Sequence, residues 1–170
     1  PNGNPHIQTD PRNIARVAEA LAQRLSEVDG ANEAYYKERY ADFAKRWNAA
    51  LARWEQEAAP LKGVAVVAHH QSWAYLYNWL GMREVAELEP KPGIAPTAAH
   101  LEDVLAQLKR DPARMVIRSA YESDRASQWL AQRAHIPAVM LPFTVGGSDK
   151  AEDLFGLYED TVQRLLGALK

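Results

Sequence analysis

The chain has 170 residues, with 20 Lys and Arg against 22 Asp and Glu and a formal net charge of -2, so it lacks the basic footprint that phosphate backbones require and nucleic acid is not an expected partner. Hydrophobic residues make up 47% and charged residues 25%, the balance of a globular domain rather than a disordered one. Cysteine is absent, which excludes disulfides and thiolate metal sites and leaves His, Asp and Glu as the common metal ligands. No run approaches the roughly 20 apolar residues of a transmembrane segment. An opening at Pro1 rather than Met reads as that of a processed product, an excised domain or a fragment.

Asp10-Pro11 predicts an N-cap followed by a first-turn proline. Ile14, Val17, Ala18, Leu21 and Leu25 then recur at helical spacing, so a helix is expected to about Val28. Asp29-Gly30 breaks it, and Asn32 can cap a second helix with large apolar side chains at Tyr36, Tyr40, Phe43, Trp47, Leu51 and Trp54, and Ala58 at its end. Roughly 27 residues at about 1.5 Å each make a rod near ~40 Å long, more than one small domain needs to cover a sheet. A strut between two lobes and a long core helix of a bundle both satisfy that pattern.

After Pro60 short β-rich runs alternate with helical ones: Val64 to Ala68, Trp73 to Leu80, Glu84 to Leu88, Thr97 to Leu108, Met115 to Arg118, Asp124 to Ala134, Ala138 to Leu141 and Leu154 to Leu169. This β-α alternation predicts an α/β fold with a parallel sheet of about four strands flanked by helices. Ligands of such sheets bind beyond the C-terminal strand ends. That rule selects four places: the turn at His69 to Ser72, the segment Glu89 to Pro96, the turn Ser119 to Ser123, and the loop Pro142 to Asp149.

Of the five histidines, His6 precedes the first helix, His69 and His70 end the first strand, His100 lies in a helix and His135 follows one. Strand alternation sends His69 and His70 to opposite sides, so at most one faces a given site. Taken singly, a strand-end His is a structural residue more often than a ligand. No G-x-S-x-G elbow supports a serine hydrolase, and Ser72 stands where a helix cap is expected. No G-x-G-x-x-G or Walker pattern follows a strand. Trp73, Tyr75 and Trp79 read as core with an aromatic ligand pocket as the alternative, and Glu84, Glu87, Glu89 and Lys91 read as solvated surface.

Several separated segments resemble one family in order. Asn4-Pro5-His6 with Asp10-Pro11-Arg12-Asn13, the long helix, His70-Gln71-Ser72-Trp73-Ala74-Tyr75, Glu89-Pro90-Lys91-Pro92-Gly93-Ile94 with Pro96, and Leu141-Pro142 with Val145-Gly146-Gly147 are similar to the cluster A-I solute-binding proteins of zinc and manganese ABC importers. The resemblance covers essentially the whole chain but only the second half of a typical member. It implies residues 1–30 as a remnant of an N-terminal lobe, 31–60 as a linking helix and 61–170 as a C-terminal α/β lobe.

The resemblance further implies a metal held in the cleft between the lobes, with His6 and His70 as two ligands and a third, a histidine of the N-terminal lobe, preceding Pro1. Where members carry a carboxylate as the fourth ligand this sequence has Val145, which cannot coordinate. Asp149, four residues on, is the expected substitute, with a water or no protein ligand, and Glu122 or another acid, also open. Imidazole ligands suit Zn2+, and a carboxylate-richer site would suit Mn2+. The expectation is therefore not an enzyme but a metal carrier. It would work in the periplasm, or lipid-anchored at the outer face of the cell membrane, as a monomer at full length, and deliver Zn2+ to the membrane permease of an ABC importer. The alternative is a metal-dependent hydrolase or a small-molecule-binding α/β domain.

Overall fold

A computed structural model describes residues 3–170; Pro1 and Asn2, at the head of the 1–30 segment, lie outside it. Asp10 has an extended backbone and its carboxylate accepts a hydrogen bond from Arg12 N at 2.9 Å, capping α1 (Pro11–Val28). The chain turns through Asp29 and Gly30 and folds back along α1 as α2 (Glu33–Glu57). Asn32 stands at the expected position, but its side chain donates to Asp29 Oδ2 at 2.9 Å instead of capping the helix.

The remaining elements are β1 (Ala65–Ala68), α3 (Ala74–Leu80), β2 (Arg83–Glu87), α4 (Ala98–Leu108), β3 (Met115–Ser119), α5 (Arg125–Ala134), β4 (Ala138–Leu141) and α6 (Leu154–Gly167). The four strands are parallel in the order β2-β1-β3-β4. Central β1 is buried along its whole length because helices cover both faces, which is why it reads as a continuous apolar run and not as an alternation. On one face Val66, Ala68 and Ile117 pack with Trp47, Trp54, Trp73 and Leu157 from the α2, α3 and α6 side. On the other, Val67 and Val116 pack with Leu101, Val104 and Leu130 of α4 and α5. Gly81 ends α3 at φ 66°, a left-handed conformation that costs glycine least.

Only the second half of α2 enters this core, through Trp47, Ala50 and Trp54. Trp47 Nε1–H donates to Pro11 O at 2.9 Å and Trp54 Nε1–H to Glu159 Oε2 at 2.9 Å, so two large apolar rings are buried with their polar edges satisfied. The first pins the start of α1 to the lobe. Tyr75 Oη–H donates to Asn4 O at 3.2 Å and Tyr158 Oη–H to Gln8 O, fastening the loop that carries His6 to the same body. By contrast, Val17, Leu21, Leu25 and Val28 of α1 are 48%, 56%, 38% and 68% exposed and form an unburied apolar face. Among the described residues no helix is long and apolar enough to cross a membrane.

Candidate metal site

The backbone ladder continues past β1: His69 N–H donates to Ile117 O at 2.9 Å, and His69 O accepts from Glu89 N–H at 3.1 Å. Strand alternation therefore still governs the next two side chains. His70 goes to the face of Val66 and Ala68, where the loop before α1 delivers His6, and the two rings lie perpendicular with centroids 6.0 Å apart. Phe143, from the loop after β4, packs edge-on against His6 at 5.4 Å and against Trp73 at 5.4 Å, closing the apolar side of the pair.

Each imidazole is oriented by an oxygen. His70 Nδ1 lies 2.7 Å from Glu89 Oε2 and His6 Nδ1 lies 2.7 Å from Asn4 Oδ1. Neither a carboxylate nor an amide oxygen can donate, so both Nδ1 atoms carry a proton, and in the neutral form of each ring Nε2 keeps the lone pair. This is the arrangement in which an outer carboxylate or carbonyl fixes the tautomer of a metal-ligating histidine. An ion about 2.0–2.1 Å from Nε2 lies about 3 Å from each ring centroid, so rings at this separation can share one.

Burial, and then the neighbouring His70, lower the pKa of His6, while the Glu122 carboxylate opposes them. His6 thus keeps its neutral, ligand-competent form further into acid than an ordinary histidine. Burial works to raise the Glu89 pKa, but hydrogen bonds from His70 and from Gly93 N–H at 2.8 Å hold it below the usual glutamate value. Glu89 remains an anion able to support a positive charge beyond His70.

Among the described residues no third His, Asp or Glu joins the pair in a group that could hold a metal ion. Glu122 is the nearest in its electrostatic effect, and it accepts Ser119 N–H at 2.6 Å. Asp149 is exposed on the loop after β4 and is not among the charges that shift His6. It does not cap the last helix either, nor does Ser148: Asp153 does so, accepting Gly156 N–H at 2.8 Å, while Ser148 Oγ–H donates to Asp160 at 2.6 Å.

The other histidines are elsewhere. His69 is 6% exposed and lines a cavity of about 530 Å³ with Leu101 and Trp129 on the α4–α5 side. His100 Nε2 donates to Glu87 O at 2.9 Å, and His135 caps the C-terminus of α5 at φ 54°.

The readings of Glu84, Glu87, Glu89 and Ser72 need correction. Glu89 is not solvated surface: its side chain is 14% exposed and bonded to His70, a pairing across 19 residues that an acid at a strand end beside a histidine turn could have signalled. Glu84 and Glu87 are likewise partly buried. Ser72 does not cap α3, because Trp73 occupies the cap position and the Ser72 hydroxyl is buried without a partner among the described residues. Trp73 and Trp79 are core as expected, whereas Tyr75 is half-buried and bonds the His6 loop.

A family model described as the zinc-uptake complex component A, periplasmic (ZnuA), matches residues 2–168. The high-affinity zinc uptake system protein ZnuA of Brucella abortus (strain 2308) is 25% identical over 104 residues, 61% of this chain and 31% of that protein. The crystal structure of a ZnuA superposes with a TM-score of 0.83 at 22% identity, covering 99% of this chain and 61% of that one. FpvC of Pseudomonas aeruginosa, solved in complex with Mn2+, superposes at 0.82 with 20% identity, covering 98% of this chain and 63% of that one. These likenesses establish the α/β fold. The chain spans 31% of the length of the curated relative and under two thirds of the solved ones.

Proposed function

The chain belongs to the ZnuA family of periplasmic zinc-uptake components, and on that premise we propose that it captures Zn2+ outside the cytoplasm and hands it to the membrane permease of an ABC importer. The observation that carries this reading is the pairing of His6 with His70, each with Nδ1 tied to an oxygen and Nε2 left to bind. Two neutral imidazoles favour zinc over a hard ion. Mn2+ is the competing cargo, since FpvC was solved with that ion. The protein's contribution is binding and release, with no chemical step on the ion.

We place the remaining ligands as follows. The acidic position falls to Asp149 by sequence, or to Glu122 by its electrostatic reach to His6. A further histidine comes from an N-terminal lobe of the longer protein, joined through residues 1–30 and 31–60 to the lobe at 61–170. The apolar face of Val17, Leu21, Leu25 and Val28 supports that lobe, because exposed large side chains at this spacing mark a surface that packs on something. The working form is a monomer in the periplasm, or lipid-anchored at the outer face of the cell membrane.

Calorimetric titration with Zn2+ tests the reading on the intact protein and on residues 1–170 side by side. The expected result is tight binding by the former and much weaker binding by the latter, since the fragment keeps two imidazoles but loses a ligand and the closed cleft. Equal affinities would place the whole site within 1–170 and overturn the two-lobe reading.

A further inference from the structure

On the α4–α5 face of the sheet, the cavity of about 530 Å³ lies where His69, Glu89 and Ser123 follow the ends of β1, β2 and β3. Ligands of parallel sheets bind at that end of the strands. The volume falls within the roughly 300–1,000 Å³ of small-molecule sites. Leu101 of α4, Ala126 and Trp129 of α5 and Pro96 of the segment after β2 give it apolar walls, and Arg125 joins His69, Glu89 and Ser123 as its polar lining. A few polar groups set in an apolar wall are the make-up of a ligand pocket.

His69 is 6% exposed, and the fold leaves its ring unused. Nδ1 is sealed inside the protein; Nε2 has no hydrogen-bond partner among the described residues and is not sealed, so this edge of the ring meets the cavity that His69 lines. A polar atom at a buried wall that finds no partner in the protein is satisfied by what enters the space beside it. Glu89 borders the cavity next to it, since Glu89 N–H donates to His69 O at 3.1 Å. Its Oε2 is taken by His70 and Gly93 N–H, while Oε1 has no partner among the described residues. At the start of α5 the charge is reversed. Arg125 is in no ion pair among the described residues, and the Asp124 side chain makes no cap bond to the first-turn N–H groups. An uncapped helix start beside a free guanidinium favours an anion.

We propose that this cavity binds a small apolar α-amino acid, its ammonium toward Glu89 and His69, its carboxylate toward Arg125 and the first turn of α5, and its side chain against Leu101 and Trp129. A zwitterion with an apolar side chain matches both charges and the wall between them. An apolar amine would leave Arg125 unmatched, and an apolar acid would meet the Glu89 carboxylate. The site lies on the opposite face of the sheet from the His6–His70 pair and does not rest on which metal that pair takes.

The test uses intact, metal-free protein, so that chelation of zinc by an amino acid plays no part, and follows the indole N–H resonance of Trp129, assigned by its loss in Trp129→Phe. L-Leucine should move it saturably. Isoamylamine, which lacks the carboxylate, and isocaproate, which lacks the ammonium, should each bind at least about tenfold more weakly, as loss of a charged hydrogen-bond partner brings. Arg125→Gln should weaken leucine binding by about tenfold or more and leave isoamylamine little changed. Ala98→Trp, which puts a large ring into the cavity from an exposed lining position, should abolish leucine binding with the melting temperature kept. No saturable movement with leucine, either analogue binding as tightly, or unchanged leucine affinity in folded Arg125→Gln or Ala98→Trp would each overturn the site. Each of those outcomes leaves the zinc reading untouched.

Discussion

On the α4–α5 face of the sheet His69 is 6% exposed and its Nδ1 has no partner among the described residues, whereas one residue on, across the sheet, His70 is bonded to Glu89 and faces His6. The two side chains are chemically identical and adjacent. What separates them is strand alternation, which decides the neighbours, and the neighbours decide the chemistry. His70 differs from His69 in having an anion that fixes its Nδ1–H and a second imidazole, His6, beside its ring.

That contrast can be broken at several points. His70→Ala has the largest expected effect: zinc affinity should fall by more than about 100-fold, beyond what losing a supporting partner alone brings. Titration calorimetry reads it. Glu89→Gln keeps the shape and removes the charge behind His70, with an expected loss of about 10–100-fold in zinc affinity. The test is whether that loss arises with the apo melting temperature little changed.

Proton competition sharpens the picture next. Zinc binding should be nearly flat above the ordinary histidine pKa of about 6.5 and weaken below it. Because burial and His70 lower the His6 pKa, the weakening from His6 begins further into acid. Glu122→Gln removes the charge that opposes this shift, so the acid limb should move to still lower pH. A loss of affinity at every pH would instead make Glu122 a ligand. The same titration on Asp149→Ala assigns the acidic position, since only the true ligand loses affinity across the whole range.

His69→Ala should do least. It leaves zinc affinity unchanged and costs on the order of 1 kcal/mol of stability, as a typical substitution does. Thermal melting beside titration checks it. Loss of zinc binding here with retention in His70→Ala would put the register out by one residue.

Most of the fold was legible because each element carried its own local signal: the Asp10 cap before Pro11, the spaced aromatics of α2, and apolar runs alternating with helices. The pairing of His6 with His70 was legible only through resemblance, since residues 64 apart leave no periodic trace. Glu89 was missed because an acid among Glu84, Glu87 and Lys91 reads as solvated until the opposing turn is in place. Glu84 and Glu87 were missed because a bulge at Val85, which sets Glu84 beside Val66 and Glu87 beside Ala68, is a property of pairing with β1, not of the β2 residues alone. The caps failed at Asn32 and Ser72 for different reasons: Asp29 accepts the Asn32 side chain, and the helix after Ser72 starts one residue later, with Trp73 at the cap position.

Nitrogen NMR of the imidazoles during zinc titration of the intact protein tests the central claim most directly. Zinc should move the Nε2 resonances of His6 and His70 together at one equivalent and leave the nitrogens of His69, His100 and His135 where they were. Movement of His69, or of only one of His6 and His70, would contradict the account.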